Sequence, residues 1–422
     1  MKSILEALPV ELVCHIAAFL DLSDIRCLRL TSRTLVSVLA PRHLPHFFDS
    51  KSVELTLEDL RSMVYMTSQG RAGCLLKHCT IIGVAVSDIS LAPDFFELVR
   101  LLTEAFINLQ KYSPRAGLAS LHLSVAARPQ LITFLDGIHD YVHPSRRDVW
   151  DAALRTFNIT MEALRGSQFP LVGHLDLFSG VLECGLVYKA FLPLDQKLES
   201  IRIFNSLKKL TMKLSSPSIL QTEESFGHGL RGVPLLQGIL EMSVFMPELE
   251  DMDIHWYNIG GDHLTMLGDH TIRVDTSSYV NPARLKTCRL RGLFVVESDL
   301  LDYIKAFQPT ALTISDTRLV SGAWTSIFDY LTSVDSLVTS YHLDDIREGY
   351  DLVHFDAPGE PKFPYRDITV GPSTLTRQKD DAKKAIRYST ISWRRMIISD
   401  AMARWLKNKI IEFGPPNADF PT

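Results

Sequence analysis

The sequence lacks the cysteine patterns of disulfide-rich and zinc-binding proteins. Its six cysteines, at positions 14, 27, 74, 79, 184 and 288, are scattered and form no C-x-x-C pair. This usage is typical of the reduced side chains of an intracellular protein. Cys74 and Cys79 are five residues apart, but no second pair of ligands accompanies them. The sequence therefore predicts no zinc site there.

Long apolar runs are also missing. No window of about 18 uncharged apolar residues is present, so the sequence predicts no transmembrane helix. The first 20 residues are rich in apolar side chains, but Glu6, Pro9, Glu11 and His15 interrupt them, and we expect no signal peptide. The net charge of -5 argues against general nucleic-acid binding. We expect an intracellular protein, cytoplasmic or nuclear, whose partners are neither nucleic acid nor membrane.

The motifs of common enzyme classes are not found. There is no P-loop, no paired-glycine dinucleotide fingerprint and no Gly-x-Ser-x-Gly turn. His139 and His143 have a spacing that binds metal on a helix, but Pro144 argues against a regular helix there. The Gly-Asp-His turns at 260–263 and 268–270 have no nucleophile beside them. We therefore expect no enzyme, no metal and no cofactor, and an enzyme using one of these histidine sites is the less favoured alternative.

The first 40 residues have the pattern of short amphipathic helices. Pro9 suits the first turn of a helix, where its missing N–H needs no partner. Apolar residues then recur at helical spacing, at Leu12, Val13, Ile16, Ala17 and Leu20. Ser23 and Ser32 are suited to capping a second and a third helix. Three helices of this size cannot bury all their apolar side chains against one another, which predicts a partner.

This stretch resembles the F-box, the module that connects a substrate receptor to the Skp-type adaptor of a cullin ubiquitin ligase. Leu8-Pro9-Val10-Glu11-Leu12 matches its Leu-Pro-x-Glu-Leu opening, and 20–25 matches its middle. The sequence departs from the family at Thr34-Leu35, where a Trp is common. The resemblance implies that the adaptor is contacted by Leu8, Pro9, Leu12, Ile16, Leu20, Ile25 and Leu28.

From about residue 46 to 342, a Leu-x-x-Leu-x-Leu pattern returns at irregular intervals. Its fourth position falls at Cys79, Leu121, Leu175, Leu210, Met252, Cys288 and Leu312. Helical patterns separate these predicted strands, at 97–110, 149–164 and 298–307. This order predicts a parallel sheet with right-handed crossovers.

The returning pattern favours an irregular leucine-rich-repeat-like solenoid within the α/β class. The alternative is an ordinary α/β domain whose strands are leucine-rich. The stretch 284–332 is similar to the C-terminal repeats of fungal F-box proteins with degenerate leucine-rich repeats, in Leu290-Arg291-Gly292-Leu293 and Ser321-Gly322-Ala323-Trp324.

The carboxyl-terminal part changes in composition. Residues 343–372 are acidic and rich in proline and glycine, which predicts a long loop. Residues 373–422 are basic, and Ser399 and Asp400 are suited to begin a helix. We expect this basic helical segment to cap the last repeat.

Alternate residues of the predicted strands form a mixed-charge surface on the other side of the sheet. The candidate target-binding residues there are His122, Asp176, Lys209, Lys213, Asp251, Asp253, Arg289 and Arg291, with Trp256 as an aromatic anchor. Two alternatives stay open: the opposite charges pair between neighbouring strands, or Trp256 belongs to the core.

The sequence thus predicts four parts: an F-box at 1–45, a solenoid at 46–342, an acidic loop at 343–372 and a basic helical cap at 373–422. The favoured function is a substrate receptor that performs no bond chemistry, docking on a Skp adaptor at one end and holding a target protein on the solenoid. The alternative is an F-box scaffold that binds its partner without ubiquitin transfer.

Overall fold

The fold is known from a computed structural model of the chain. The residues it describes are 5–17, 19–20, 22–35, 37, 48–86, 94–115, 117–128, 130–133, 139–142, 144–191, 202–215, 235–257, 283–366, 368–397 and 399–414.

The strands are short and most of them belong to one sheet. In chain order they are β1 (Ser50–Glu54), β2 (His78–Ala85), β3 (Leu118–Ala127), β4 (Gln130–Thr133), β5 (His139–Val142), β6 (Leu171–Leu177), β7 (Leu186–Val187), β8 (Lys209–Ser215), β9 (Asp251–Trp256), β10 (Thr287–Arg291), β11 (Phe294–Val296), β12 (Ala311–Ser315), β13 (Arg318–Ser321), β14 (Ser340–Asp344), β15 (Arg347–Glu348), β16 (Asp351–Phe355), β17 (Thr374–Gln378) and β18 (Tyr388–Ser392).

Helices separate many of these strands. In chain order they are α1 (Val10–Ala17), α2 (Leu22–Thr31), α3 (Leu57–Thr67), α4 (Phe95–Tyr112), α5 (Arg146–Ser167), α6 (Tyr188–Phe191), α7 (Leu235–Ser243), α8 (Glu297–Phe307), α9 (Thr325–Thr332) and α10 (Asp400–Phe413). The helices predicted at 97–110, 149–164 and 298–307 are therefore confirmed as α4, α5 and α8. Within the described ranges, no helix has both the length and the apolarity needed to span a membrane.

The large sheet follows the order of the chain. Its main path is β1-β2-β3-β6-β8-β9-β10-β12-β14-β17, with β7 beside β8. The strands from β1 to β14 are parallel to their neighbours, and β17 is antiparallel to β14. The mixed α/β class with a large parallel sheet is thus confirmed.

The predicted strand positions lie in register across this sheet. The first inner row contains all seven predicted positions and ends at Tyr341: Cys79, Leu121, Leu175, Leu210, Met252, Cys288, Leu312 and Tyr341. The second inner row, two residues further along each strand, is Val53, Ile81, Leu123, Leu177, Met212, Ile254, Leu290, Ile314 and Leu343. Both rows are buried in one continuous core.

The helices bury their apolar faces against these rows. α5 packs on β2 and β3, and α4 packs between α3 and α5. α5 begins at a capping box in which Ser145 and Asp148 each accept a hydrogen bond from the other residue's backbone N–H, and such reciprocal caps stabilise a helix start. Its inward side chains include Phe157 and Leu164, both almost completely buried.

The carboxyl-terminal predictions need correction. Residues 343–372, expected to be a loop, include β15 and β16, and 373–422, expected to be helical, include β17 and β18 before α10. β11, β13, β15, β16 and β18 form a second sheet. The acidic residues indicate a loop, but Asp351 begins β16 and Asp356 follows it, and Leu352, Val353 and Phe355 of that strand are buried.

Helix α10 starts where the sequence predicted, but it lies elsewhere. The Met402 N–H donates to the Ser399 hydroxyl at 3.3 Å. Rather than covering only the last strand, α10 crosses the carboxyl ends of several strands. The Phe413 ring lies 5.1 Å from the His255 ring in β9, and Lys409 contacts Asp316 after β12 and Asp345 after β14.

We predict that Gly292, which follows β10, is required for α10 to pack. Its φ is +71°, and an added Cβ would lie 2.7 Å from both the Phe413 ring and the Trp256 carbonyl oxygen. Gly292→Ala should lower the free energy of unfolding by about 1–2 kcal/mol for the left-handed backbone and by a further 1–3 kcal/mol, roughly, for the forced repacking. Urea unfolding measures both.

Gly349→Ala is the matched control, because Gly349 has a φ of +55° with no atom within 4 Å of an added Cβ. It should show the backbone cost alone. Equal destabilisation by the two substitutions would contradict the packing of Phe413 on Gly292.

Candidate functional site

The amino-terminal helices form a small cluster of their own. Val13, Ala17 and Leu35 are buried together, and Leu8 and Leu28 pack against them. The Pro9 carbonyl accepts hydrogen bonds from Leu12 N–H at 3.0 Å and Val13 N–H at 3.1 Å, which starts α1 as predicted. The Ser32 hydroxyl accepts from the Leu35 N–H at 3.4 Å, at the start of a short third helical segment.

The opposite side of α1 exposes apolar side chains in a row. Leu12 is 50% exposed, Ile16 41% and Phe19 80%. These residues are four and three apart, so they lie on one side of the helix and its terminal turn. Leu30 of α2 is 88% exposed. Apolar surface of this kind indicates a site for a protein partner.

The seven predicted adaptor-contact residues divide by exposure. Pro9, Leu12 and Ile16 are exposed, and Leu8, Leu20 and Leu28 are partly buried. Ile25 needs correction, because it is completely buried and stabilises the helical unit from inside. Sequence reasoning missed Phe19 and Leu30. Phe19 had a usable signal, since it lies three residues after Ile16 on the same helical stripe.

The outward side chains of the large sheet form what we call the polar face. It consists of two outer rows that alternate with the inner rows. They are His78, Ser120, His174, Lys209, Asp251, Thr287, Ala311 and Ser340 in one row, and Thr80, His122, Asp176, Thr211, Asp253, Arg289, Thr313 and His342 in the other.

A histidine network connects β2, β3 and β6 on this face. The Ser120 Oγ lies 2.8 Å from His78 Nδ1 and 3.1 Å from His122 Nε2, and His122 Nδ1 lies 3.3 Å from Asp176 Oδ2. Burial acts to raise the pKa of Asp176, but hydrogen bonds from His122 and Ser179 outweigh it and hold that pKa below its usual value. The His174 Nε2 lies 2.9 Å from the Thr211 hydroxyl.

Ser120, His122 and Asp176 have the order of a nucleophile, a base and an orienting acid. Acyl transfer also needs N–H donors that stabilise an oxyanion. β3 lies between β2 and β6, so its own backbone N–H groups donate within the parallel sheet. The contacts connect three neighbouring strands by hydrogen bonds on the polar face.

The charged strands β9 and β10 pair with each other. The Arg291 guanidinium donates to Asp253 at 2.9 Å, and Arg289 lies 4.0 Å from the same carboxylate. Thr287 donates to Asp251. The pairing between neighbouring strands that the sequence left open is therefore present at Asp253. Arg289 is nevertheless 58% exposed, and Lys209 is exposed on β8.

Two predicted target-binding residues lie inside the molecule. Lys213 is 3% exposed and donates to the Val181 carbonyl at 2.8 Å, with its Nζ 5.1 Å from the centre of the Tyr257 ring. Trp256 is also 3% exposed and packs on Tyr188, so it belongs to the core. Lys213 points to the outer side as strand alternation predicts, but the segment near Val181 covers it. Trp256 lies on the inner side, in line with Met252 and Ile254.

A buried charge cluster holds α10 in place. Lys362 donates to Asp344 at 2.6 Å and to Asp345 at 2.7 Å, while Lys409 contacts Asp316 and Asp345. The three carboxylates are close enough to one another to ligate a metal ion, and the two ammonium groups offset part of their negative charge. Burial raises the pKa of Asp316 to about 7, although Lys409 acts against this.

The remaining predicted chemistry cannot be located. His143 and the turns at 260–263 and 268–270 lie outside the described residues, and of His139 only the backbone, in β5, is described.

Comparison with protein-family models matches residues 5–40 to the F-box domain. No curated protein matches the chain. F-box domains generally mediate binding to Skp-type adaptors in Skp–cullin–F-box ubiquitin ligases, and F-box proteins are typically non-catalytic adaptors. The chain therefore carries an F-box domain, and the match includes the exposed row of α1.

We predict that His255 makes stability fall on acidification. Burial lowers the pKa of His255 to about 3 from 6.5, and Arg291 and Lys213 add to this. Below about pH 6.5 the unfolded state binds a proton that the folded state does not, so stability falls by about 1.4 kcal/mol per pH unit. His255→Gln should therefore reduce the loss between pH 7.0 and 5.5 by about 1.4 kcal/mol.

Urea unfolding at both pH values tests this, with each protein compared with itself at pH 7.0 so that the packing cost of the substitution cancels. His174, with a pKa lowered to about 4 mainly by burial, contributes in the same direction. Asp316 contributes in the opposite direction, because its folded pKa is raised. His174 and Asp316 are present in both proteins, so their contributions cancel. If the stability of His255→Gln falls as much on acidification as that of the native chain, the prediction is contradicted.

Proposed function

We propose that this chain is a non-catalytic substrate-recognition subunit of a Skp–cullin–F-box ubiquitin ligase. The observation that carries the proposal is the exposed apolar row Leu12, Ile16 and Phe19 within the segment that matches the F-box domain. The chain would dock on the adaptor through this row and hold a target protein on the polar face. It would work where the ligase works, in the cytoplasm or the nucleus.

The adaptor contact rests on how the apolar side chains divide between inside and outside. Residues 5–40 bury Val13, Ala17 and Leu35 but leave Leu12, Ile16, Phe19 and Leu30 in water. Removing apolar surface from water contributes roughly 25 cal/mol per Å², so covering this row favours association. Pro9 and the partly buried Leu8, Leu20 and Leu28 would form its rim, while Ile25 supports it from inside.

The target contact rests on the in-register sheet. Parallel strands that follow chain order and are separated mostly by helices favour a leucine-rich-repeat-like solenoid of the kind found in fungal F-box proteins, spanning about 46–342. Such an array presents one extended surface. The accessible candidates on it are His122, Asp176, Lys209, Asp251, Asp253, Arg289 and Arg291.

The proposal requires no bond chemistry from this chain. A receptor that holds a target near a ubiquitin-loaded enzyme increases the effective concentration of the target lysine, which accelerates transfer. A scaffold that binds both partners without ubiquitin transfer would use the same two surfaces, so turnover of the target separates the two functions.

We predict that the exposed row is needed for adaptor binding but not for folding. A Leu12→Ser, Phe19→Ser double variant should weaken binding to a Skp-type adaptor more than 100-fold, since each lost apolar contact contributes roughly 1.5–3 kcal/mol. Calorimetry with purified adaptor measures the affinity, and circular dichroism checks the helices. A Leu8→Ala, Pro9→Ala variant should also lose the adaptor, but Leu8 packs in the cluster, so that variant tests packing as well.

Val334→Ser is the matched control, because Val334 is 97% exposed and lies after α9. It should bind the adaptor like the native chain. Full adaptor binding by the Leu12→Ser, Phe19→Ser variant would refute the proposed docking surface.

A second prediction concerns turnover. Proteins captured by proximity labelling with the full chain should include a target whose half-life increases several-fold when the Leu12→Ser, Phe19→Ser variant replaces the native chain, because target binding would persist without delivery to the ligase. A pulse-chase measurement gives the half-life. A captured partner with unchanged half-life would favour the scaffold.

A further inference from the structure

Strands β8, β9 and β10 and the turns just before them carry an excess of positive charge. The exposed or partly exposed cations are Lys208, Lys209, Arg284, Lys286, Arg289 and Arg291, against the carboxylates Glu248, Glu250, Asp251 and Asp253. The whole chain has a net charge of -5. This patch therefore has the opposite sign to its surroundings, and such a local field attracts negatively charged partners.

Three of the four carboxylates of the patch accept hydrogen bonds within the molecule. Asp253 accepts from Arg291 and is near Arg289, Asp251 accepts from Thr287, and Glu250 accepts from Lys286 at 2.6 Å. Further along the face, Asp176 accepts from Ser179 and contacts His122. The acceptors on this face are therefore largely used within the molecule.

The cations are less engaged. Within the described part of the chain, no carboxylate lies within 4.0 Å of Lys209, which is exposed. Arg289 reaches its carboxylate only at 4.0 Å and is 58% exposed. Both side chains stand on the outer rows, two strands apart, which corresponds to roughly 10 Å across the sheet. They present donors to solvent on either side of the paired Asp251 and Asp253.

Among the described residues, this patch is bordered by α10 at one end and by the outer rows of neighbouring strands on its two sides. At the carboxyl ends of the strands, α10 covers His255 with Phe413. Toward β2, the outer rows carry His, Ser and Thr side chains and one carboxylate, Asp176, which is held by His122 and Ser179. Toward β14, they carry Thr, Ser, His and Ala side chains without fixed charge. A partner on this face would therefore meet the exposed Lys209 and the weakly paired Arg289, with mostly neutral polar side chains on either side.

We infer that the polar face around Lys209 and Arg289 binds an acidic, extended segment of a partner protein. This inference rests on the proposed function, because the acidic segment would belong to the target protein that the chain holds. An extended chain with carboxylates on alternate residues places them on one side, where they reach Lys209 and Arg289 together.

The test uses the full chain and a fluorescein-labelled peptide with alternating Glu and Ser over ten residues. A peptide with Gln in place of Glu is the neutral counterpart. Fluorescence anisotropy should show binding of the Glu peptide at 50 mM salt that weakens steeply at higher salt, and at least tenfold weaker binding of the Gln peptide. A Lys209→Glu, Arg289→Glu double variant should lose at least tenfold in affinity for the Glu peptide.

Arg404→Glu, Lys407→Glu is the matched control, because it makes the same charge change at exposed residues of α10. It should change the affinity less than twofold. Equal losses in the two double variants, equal binding of the two peptides, or tighter binding of a labelled oligonucleotide than of the Glu peptide would each overturn the inference. The affinity for the adaptor, measured on the same variants, should not change. If the native chain does not bind the adaptor, that result refutes the proposed function and not this inference.

Discussion

The register of the large parallel sheet is the constraint on which the rest of the structure depends. Inner positions of successive strands lie side by side in register, although they are separated by 24 to 54 residues along the chain. A shift of one residue would turn every side chain of a strand to the other face. Because both inner rows must be buried, only one register satisfies all strands, and helices such as α5 absorb the differences in connection length. The same register determines which polar side chains meet on the outer rows.

The inner rows were readable from sequence, and much else was not. The spacing at Leu121, Leu175 and Leu210 predicted strands because burial acts on each strand separately. The sequence pattern does not predict β14, because Tyr341 occupies the position that the pattern assigns to leucine. In the amino-terminal helices, the sequence predicts the apolar stripe that contains Leu12. Alternation and periodicity, however, indicate only the direction of a side chain and not whether another segment covers it.

What covers a side chain depends on distant residues, and this is where prediction failed. The sequence predicts Lys213 in solvent, but its ammonium group donates a hydrogen bond to the Val181 carbonyl and lies over the Tyr257 ring. α10 shows the same difficulty. Its contact residues Lys409 and Phe413 are one helical turn apart, about 5.4 Å, close to the roughly 4.8 Å between strands. Because the two distances agree, the helix crosses the strand ends with one contact per turn. The sequence of α10 and the sequence of the strands do not reveal this agreement when each is read alone.

The turns at the strand ends that α10 crosses explain why this helix packs there. These turns carry carboxylates, and α10 carries basic side chains. Asp316 and Asp345 have positive φ values of 49° and 50°, and Gly292 occupies the corresponding place after β10. Aspartate tolerates this left-handed backbone better than most residues, so the turn geometry itself brings carboxylates together. Their mutual repulsion and burial require nearby cations, which Lys362 and Lys409 supply. Lys409 of the helix thus offsets part of the negative charge that the repeated turn creates, and this contact holds α10 at the carboxyl-terminal boundary of the polar face.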